Sequence, residues 1–443
     1  MEKFKLNHKK ENLKYIAEFE ITKIKPYKNN ARLHKDKQVQ QIANSIKEFN
    51  FLNPITLDEK YEVLAGHGRV LAAKKLDIKT VPVVIASSLS EKQKRLYRIA
   101  DNKLTLNGKW DENLLALELK DLSNLDIDLD LSITGFETTE IDLLIDDVSE
   151  IDDNSDDQIP EPNLDNPALT KPGDIWLLDK HRIICGDSTQ HETYERLMNG
   201  KKAQMIFTDP PYNVKIDGNV GGLGTIKHRE FAMASGEMTS GEFEEFLSKF
   251  IKLNIQYSTP GSLHFHFMDW RHSFELESVA RKLYTEHKNT CVWVKDNGGM
   301  GSLYRSQHEL IYVFKNGTNS HINNVQLGST GRYRTNVWNY AGVNSFGKNR
   351  DDLKMHPTVK PVAMIKDAIL DVTKRNQVIL DSFLGSGSTL IAAEKSGRIC
   401  YGIEIDPHYV DVAIERFQTL TGKDVINEAS GKTYNELKEG CND

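Results

Sequence analysis

Hydrophobic positions in this chain form short apolar runs that alternate with helical repeats. Met205–Phe207 is one such run, and it ends at Asp209-Pro210-Pro211-Tyr212. Proline can neither continue a strand ladder nor occupy a helix interior, so this pattern predicts a buried strand that stops abruptly. A second run, Val378–Asp381, leads into a glycine turn and a helix. Both acids would lie at the carboxyl ends of strands, where open α/β sheets bind their ligands.

The front of the chain, residues 1–90, has the pattern of a small mixed unit. Apolar residues recur at helical spacing over 39–49. The predicted strands of this unit are Ile55–Leu57, Tyr61–Leu64 and Val81–Ile85. The turn Gly66–Arg69 joins a strand to a helix, and free amides at a helix N-terminus attract anions. This turn is therefore a candidate phosphate cradle, although an ordinary tight turn explains the glycines equally well.

Two further segments lie between the front unit and the first catalytic candidate. Residues 91–146 have helical patterns, and we interpret them as an accessory helical segment. We expect its basic residues to lie on a solvated helix face, with DNA contact as the alternative. Residues 147–172 are acidic and contain four prolines with little periodicity, which is typical of a disordered linker. At the other end of the chain, residues 422–443 are polar, and we expect a tail without a role.

Composition and charge bound the remaining possibilities. A chain of 443 residues is long for one core, so two or three domains are expected. No apolar run approaches a membrane span, and no signal peptide is visible, so we expect no membrane association. The four cysteines are widely scattered, which predicts neither disulfides nor a metal site and favours the cytoplasm. The net charge of −7 does not exclude nucleic acid, because binding depends on a local basic surface.

The motifs at Asp209–Tyr212 and Asp381–Gly387 together resemble the amino-methylating DNA methyltransferases. Asp-Pro-Pro-Tyr is similar to their catalytic motif, and Asp-x-Phe-x-Gly-x-Gly is similar to their cofactor motif. The order of the two motifs is that of the β group. The segments Trp293–Lys295 and His356–Pro361 also resemble family motifs. The resemblance implies a Rossmann-like α/β, S-adenosylmethionine-dependent methyltransferase domain over residues 173–421.

The resemblance also implies roles for individual residues. The implied catalytic residues are Asp209, Pro210, Pro211 and Tyr212. The implied residues of the S-adenosylmethionine site are Asp187, Lys360, Asp381, Phe383, Gly385, Gly387, Ser388, Thr389, Glu404 and Ile405. Elementary chemistry supports the first group, because a carboxylate and a proline carbonyl are acceptors that can direct the lone pair of an aromatic amine. A tyrosine ring can stack on a base rotated out of the duplex.

Residues 317–355 have a different composition, in which glycine, asparagine and serine alternate with aromatic and basic residues. The β group places its target-recognition region here. We therefore expect Arg332, Arg334, Lys348 and Arg350 to contact double-stranded DNA. The paired histidines His264 and His266 are interpreted as ordinary strand residues, because no third ligand type lies nearby.

The order of elements in residues 1–90 resembles the ParB/sulfiredoxin-type N-terminal domain, which implies a smaller α+β fold. A sulfiredoxin needs a cysteine in the turn where His67 and Gly68 stand here, so sulfiredoxin chemistry is not expected. Partition proteins carry two basic residues in this turn, and here Arg69 is the one that remains. The resemblance leaves room for a bound nucleotide in this domain and for a homodimer.

The expected function is site-specific methylation of adenine N6 in double-stranded DNA, in a bacterial or phage-infected cell and in a restriction-modification setting. No cysteine follows a proline, so cytosine C5 methylation through a thiolate is not expected. Asp209 at the first motif position favours adenine N6, while cytosine N4 remains an alternative. RNA or protein substrates, and a partition-like DNA-binding adaptor with a vestigial methyltransferase domain, are further alternatives.

Overall fold

The computed structural model describes residues 13–125, 130–148, 154–157, 159, 166–214, 234, 236–296, 298, 303–328, 331–342 and 359–440. The chain divides into an N-terminal unit, Met1–Val148, and a C-terminal unit, Ser149–Asp443. Each unit has its own hydrophobic core.

The N-terminal unit is a four-stranded sheet with helices. Its elements are β1 (Leu13–Glu20), α1 (Asp36–Phe49), β2 (Ile55–Asp58), β3 (Val63–Ala65), α2 (His67–Lys75), β4 (Thr80–Ala86), α3 (Glu91–Thr105), α4 (Glu112–Asn124) and α5 (Thr138–Val148), with 3₁₀ turns at Ile21–Lys23 and Leu131–Thr134. The strand order is β1-β4-β2-β3, and β4 pairs parallel with β2. The strands and helices predicted over residues 39–85 are confirmed, and the unit has the expected mixed α and β content.

Helix α3 is attached to this sheet through buried charges. Lys94 is almost fully buried, and its Nζ lies 3.1 Å from Asp58 Oδ2 and 2.6 Å from Glu59 Oε1. Arg98 donates to Glu62 Oε2 at 2.7 Å and to the Val63 carbonyl at 3.0 Å. We expected the basic residues of this segment to lie on a solvated helix face. That expectation is wrong for both side chains, because acids on β2 and in the turn after it compensate their charge.

The C-terminal unit is built on one large sheet. Its elements are a 3₁₀ turn (Asn154–Asp157), β5 (Ile175–Leu178), β6 (His181–Cys185), α6 (His191–Met198), β7 (Ala203–Thr208), α7 (Ser240–Gln256), β8 (Ser258–Met268), a 3₁₀ turn (Trp270–His272), α8 (Ser273–Leu283), β9 (Glu286–Val294), β10 (His308–Lys315), a 3₁₀ turn (Gln326–Gly328), β11 (Val337–Asn339), α9 (Val362–Val372), β12 (Val378–Asp381), α10 (Ser388–Lys395), β13 (Ile399–Glu404), α11 (Pro407–Thr421), β14 (Ile426–Asn427) and α12 (Tyr434–Glu439).

The order of strands brings the two sequence motifs together. The sheet runs β11-β9-β10-β8-β7-β12-β13-β6-β5-β14, and β7 pairs parallel with β12. Their register aligns Met205 with Ile379 and Ile206 with Leu380. Because the carboxyl ends of parallel neighbours lie at one sheet edge, Asp209 and Asp381 are placed side by side. The chain leaves this point in opposite directions, to β8 on one side and to β13 on the other.

Helices cover both faces of the large sheet, as a buried parallel sheet requires. Helices α9, α10 and α11 pack with Phe207, Ile379 and their neighbours on one face. Helices α6, α7 and α8 pack on the other face. This is the Rossmann-like α/β arrangement that the sequence predicted. Among the described helices, none has both the length and the apolar character that a membrane crossing requires.

The segment that we expected to be a disordered linker is partly ordered. Asp157 Oδ1 accepts a hydrogen bond from the Val362 amide at 2.9 Å, at the start of α9. The Asp156 carbonyl accepts from Arg416 at 2.8 Å. Further along, Thr170 is buried, and its hydroxyl donates to Asp411 at 2.5 Å. The expectation of disorder is wrong at these positions, because free helix amides and a buried guanidinium supply partners for the polar segment.

The expectation of a polar tail without a role is also wrong. Ile426–Asn427 forms β14, which pairs antiparallel with β5 at the edge of the large sheet. Tyr434 is buried, and its ring contacts the ring of Trp176 edge-on at a centroid distance of 5.5 Å. A few apolar side chains in a polar sequence are therefore enough to anchor this segment to the core.

We predict that Tyr434→Ala lowers the free energy of unfolding of the C-terminal unit by about 3 kcal/mol, because it leaves a cavity beside Trp176. Urea denaturation checks this value. Tyr304→Ala is the matched control, since Tyr304 is 84% exposed in the same unit. Equal stability of the two variants would contradict the anchoring role of the tail.

Candidate active site

A cavity of about 200 Å³ lies at the carboxyl ends of β7, β12 and β13. Most of the residues that the sequence placed in the catalytic and cofactor sites line it. These lining residues are Asp209, Pro210, Pro211, Tyr212, Lys360, Asp381, Phe383, Gly385, Ser388, Thr389, Glu404 and Ile405. The structure therefore brings both predicted groups into one cavity.

Both carboxylate oxygens of Asp209 carry hydrogen bonds. Oδ1 accepts from the hydroxyl of Tyr212, and Oδ2 lies 2.5 Å from Lys360 Nζ. The side chain of Lys360 is 6% exposed, so its charge needs a close partner. The ammonium of Lys360 pairs with the Asp209 carboxylate, and its expected contact with the cofactor stays a prediction.

Glu309, at the start of β10, joins the same cluster. Its Oε2 lies 3.1 Å from Lys360 Nζ and 3.2 Å from the Tyr212 hydroxyl. Its Oε1 lies 2.5 Å from Nζ of Lys295, just beyond β9. Sequence reasoning missed Glu309 and gave Lys295 no role. The available signal was a charged residue at the start of the otherwise apolar run Leu310–Phe314.

The pKa values of the two carboxyl groups in this cluster are shifted in opposite directions. Burial raises the pKa of Asp209, and the negative charge of Glu309 raises it further against the opposing effect of Lys360. Burial also acts to raise the pKa of Glu309, but Lys360 and Lys295 outweigh it and hold that pKa at about 2. Burial would lower the pKa of Lys360, but the two carboxylates raise it. The two lysines therefore favour the ionised form of Glu309, whereas burial favours the protonated form of Asp209.

Asp381 forms the neighbouring part of the cavity, at the end of β12. Its carboxylate accepts from the Thr389 hydroxyl at 2.6 Å and from the Phe383 amide at 3.1 Å. Burial raises the pKa of Asp381 to about 7, although both hydrogen bonds act to lower it. An acid of this kind favours a cationic ligand group, which would restore its ionised form.

Glu404 ends β13 at the other side of the glycine turn. Its Oε2 accepts from the Gly385 amide at 2.8 Å, and its Oε1 accepts from the Asp406 amide at 2.9 Å. Burial raises the pKa of Glu404 to about 7 as well. Glutamate at this point of a nucleoside-binding α/β unit is placed to accept from ribose hydroxyls.

The glycine turn after β12 needs its glycines for two reasons. Gly387 has φ +87°, and a Cβ atom there would lie 2.9 Å from the Cβ of Ala413. Gly385 has φ +55° and open space around it. Left-handed backbone favours glycine at both positions, and the first also permits close packing against α11.

Two predicted cofactor residues, Gly387 and Asp187, do not line the cavity. Asp187 has its partners within its own turn. Its carboxylate accepts from the amide and the hydroxyl of Thr189, at 2.7 and 2.8 Å, within the turn after β6. Its neighbours Gly186 and Ser188 line the cavity instead. Asp187 therefore stabilises the turn whose neighbouring residues line the cavity.

Asn213 follows the catalytic motif and closes the base of the next loop. Its Nδ2 donates to the Met238 carbonyl at 2.8 Å, and its Oδ1 accepts from the amides of Gly236 and Met238 at 3.1 Å each. The sequence of residues 213–238 is rich in glycine and short of periodicity, which predicts a mobile loop over the site. Most of that segment lies outside the described residues.

Arg332 and Arg334 are held by acids of α9. Arg332 Nη2 lies 2.9 Å from Asp371 Oδ1, and Arg334 Nη1 lies 3.0 Å from Asp367 Oδ2. Arg334 also donates to the Tyr340 hydroxyl at 2.7 Å. Both guanidinium groups anchor their segment to α9, and contact of Arg332 and Arg334 with DNA stays a prediction. Lys348 and Arg350 lie outside the described residues.

Arg69 has backbone partners in the N-terminal unit. Its Nη1 donates to the carbonyls of Asn53 and Pro54, at 3.0 and 2.7 Å. Burial lowers the pKa of this guanidinium. Gly66 before it is left-handed with φ +99°. The contacts observed at this turn are those of the tight-turn interpretation, and a phosphate there stays a prediction.

His264 and His266 are buried in a hydrogen-bond network of β8. His264 bonds to Ser258 at 2.9 Å and to Ser262 at 3.0 Å, and both imidazoles bond to the Tyr284 hydroxyl at 2.8 Å. Burial lowers the pKa of His266 to about 3 and lowers that of His264 further. Both rings therefore act as neutral structural groups.

We predict that Arg332→Met lowers the free energy of unfolding by about 2 kcal/mol, because it removes one partner of the buried carboxylate Asp371. Thermal and urea unfolding check this. Arg305→Met is the control, since Arg305 is exposed in the same unit. A variant with unchanged stability but weaker DNA binding would instead restore a DNA-contact role for Arg332.

Comparison with known families agrees with this geometry. The DNA methylase model of the N6/N4 methyltransferases matches residues 203–415. The ParB N-terminal domain model matches residues 5–102, and the ParB-methyltransferase HTH domain model matches residues 113–172. The last match falls on the segments that we interpreted as accessory helices and linker.

Individual proteins are similar to the two parts of the chain. The ParB-like nuclease domain-containing protein YnaK of Escherichia coli K12 is 47% identical over 75 residues, which are 17% of this chain and 86% of YnaK. The DNA adenine methyltransferase YhdJ of Escherichia coli K12 is 28% identical over 264 residues, 54% of this chain and 83% of YhdJ. The solved PvuII DNA methyltransferase, described as cytosine-N4-specific, aligns over 54% of this chain and 86% of its own with 16% identity and a TM-score of 0.41.

The catalytic and cofactor motifs share one cavity, and family models cover both parts of the chain. The chain is therefore a ParB-type N-terminal domain fused to a DNA methylase domain of the N6/N4 family.

Proposed function

We propose that this chain methylates the N6 amino group of adenine in double-stranded DNA at a specific sequence. The observation that supports this most is the position of Asp209 and Tyr212 in one cavity with Asp381 and Glu404. The cavity thus has a part suited to an aromatic amine and a part suited to a nucleoside with a cationic group.

The residues of the cavity fit S-adenosylmethionine, which is the methyl donor of this family. Asp381 suits its ammonium group, Glu404 suits its ribose hydroxyls, and Ile405 offers an apolar surface for its adenine. Gly385 brings the backbone close to the ligand without a side chain. When bound, the cofactor supplies a methyl group that is already strongly electrophilic.

The chain must then improve the acceptor, because the amine lone pair is delocalised into the base. The Asp209 carboxylate and the Pro210 carbonyl can accept the two N–H groups and direct the lone pair toward the methyl group. The Tyr212 ring can stack on the base once it has left the duplex. Most of the acceleration would come from this alignment.

Cytosine N4 is the second candidate, because its exocyclic amine has the same chemistry. Asp209 at the first motif position and the similarity to an adenine methyltransferase favour adenine N6. The adaptor alternative requires a decayed site, and the paired, buried side chains of this cavity argue against decay. RNA and protein acceptors remain outcomes that the substrate test below distinguishes.

Nucleoside mass spectrometry tests the proposal. Pure protein is incubated with S-adenosylmethionine and, in separate reactions, with unmethylated duplex DNA, RNA or a mixture of proteins, alongside Asp209→Ala and the exposed control Asp296→Ala. We expect N6-methyladenine with the wild type and the control, and a loss of at least about 100-fold with Asp209→Ala. N4-methylcytosine would overturn the base assignment, and methylation of RNA or protein in place of DNA would overturn the substrate.

We also predict that cofactor binding releases protons near pH 7. The pKa of Glu404 is raised to about 7, and hydrogen bonds from ribose hydroxyls would favour its ionised form and lower that pKa. The same holds for Asp381 beside an ammonium group. Calorimetry in buffers of different ionisation enthalpy measures this release. It should become smaller in Glu404→Gln and vanish above about pH 9, and an unchanged release in the variant would contradict the assignment of Glu404.

The ParB-type domain supports the same function in our proposal by increasing the residence time of the enzyme on DNA. A bound nucleotide in this domain and a homodimer stay predictions. Removing Met1–Val148 and measuring DNA affinity and methylation rate would test the first idea, because unchanged values would exclude it.

A further inference from the structure

The target amine would have to approach a carboxylate that already accepts two hydrogen bonds. One oxygen of Asp209 accepts from the Tyr212 hydroxyl, and the other lies 2.5 Å from Lys360 Nζ. A hydroxyl proton and an ammonium proton thus compete with the amine for the charge of this carboxylate. Moving either donor away from Asp209 without another acceptor would leave a buried polar group unpaired, which costs most for the ammonium.

Glu309 is within hydrogen-bonding distance of the same two donors. Its Oε2 lies 3.1 Å from Lys360 Nζ and 3.2 Å from the Tyr212 hydroxyl. The tyrosine has one hydroxyl proton, which can point to one carboxylate at a time. A small rotation of the hydroxyl and a small shift of the ammonium would therefore transfer both hydrogen bonds from Asp209 to Glu309.

We propose that Glu309 is a positioning residue that takes over Tyr212 and Lys360 when the target amine binds Asp209. This inference rests on the proposed function and deepens it. Each donor keeps an anionic acceptor throughout, so the catalytic carboxylate is freed without leaving a buried polar group unpaired.

Lys295 holds the receiving carboxylate in place. Its Nζ lies 2.5 Å from Glu309 Oε1 and 4.7 Å from the ring centre of Trp293. Phe267 and Trp293 flank Lys360, with ring centres 5.0 and 6.0 Å from its Nζ. These contacts leave the Lys360 ammonium little freedom beyond a shift between the two carboxylates.

The proton balance of the reaction suits this division of roles. Methylation forms a bond from nitrogen to the methyl carbon, breaks the bond from that carbon to sulfur and releases S-adenosylhomocysteine. One N–H proton must leave the nitrogen, and Asp209 accepts it before passing it to solvent. Glu309 stays ionised between two lysines, so the net charge of the cluster changes from zero to +1 while Asp209 carries that proton.

Replacing Glu309 by glutamine tests the proposal through the pH dependence of single-turnover methylation. The groups that face Asp209 are Tyr212, Glu309 of β10, Lys360 and Asp381 of β12. Glu309 raises the pKa of Asp209 by its charge, so Glu309→Gln should lower that pKa. We expect the acid limb of the rate profile to move to lower pH and the plateau rate to fall on the order of 100-fold.

Replacing Lys295 by methionine should move the acid limb in the opposite direction. Without Lys295 the charge of Glu309 is less compensated, and it raises the pKa of Asp209 more strongly. The side chain of Lys295 is 28% exposed, and Glu309 keeps Lys360 as a partner in this variant, so we expect it to fold, which urea unfolding checks. The acid limbs of Glu309→Gln and Lys295→Met should therefore move in opposite directions, which a merely structural role cannot produce.

Glu275→Gln is the matched control, because Glu275 is a mostly buried glutamate of α8 that bonds to Ser240 and does not line the cavity. Its limb and rate should equal those of the wild type. Calorimetric affinity for S-adenosylmethionine should change less than about 2-fold in all three variants. An unmoved acid limb in folded Glu309→Gln and Lys295→Met proteins would overturn the proposal. A wild-type enzyme without DNA methylation would instead remove the proposed function on which it rests.

Discussion

The ammonium of Lys360, buried between the carboxylates of Asp209 and Glu309, is the interaction on which the rest of the site depends. A buried charge costs several kcal/mol unless it is paired with good geometry. Here three strands and the segment before α9 must meet to supply that pairing. Asp209 follows β7, Glu309 begins β10, and Lys295 follows β9. The arrangement of the sheet and the charge state of the catalytic carboxylate are thus set together.

Parallel pairing of β7 with β12 is the second constraint, because it joins two motifs that are far apart in the sequence. It places Asp381 and Asp209 at the same edge of the sheet. From this edge the chain continues to β8 on one side and to β13 on the other. Burial then raises the pKa of Asp381 and Glu404 to about 7. A ligand with hydroxyl and ammonium groups would meet carboxyl groups that it can ionise, which suits the nucleoside cation of the proposed function.

The sequence predicted the strands and the cavity well because apolar periodicity and glycine turns are local signals. Asp209, Asp381 and Glu404 were found from runs that end in an acid. The sequence did not predict pairings between distant polar side chains. From the sequence, Lys94 is expected in solvent and Arg332 on a phosphate. In the structure, Lys94 pairs with Asp58 and Arg332 pairs with Asp371. Tyr434 likewise lies in a polar stretch of the sequence, and only the structure shows that its ring packs against Trp176.

A crystal structure with S-adenosylhomocysteine and an unmethylated duplex that contains the sequence which the enzyme methylates would test the central claim most directly. The account predicts the target amine on an Asp209 oxygen, with Lys360 Nζ and the Tyr212 hydroxyl within about 3 Å of Glu309. A flipped base whose amine lies away from Asp209, while Tyr212 and Lys360 still occupy both oxygens of that carboxylate, would contradict it.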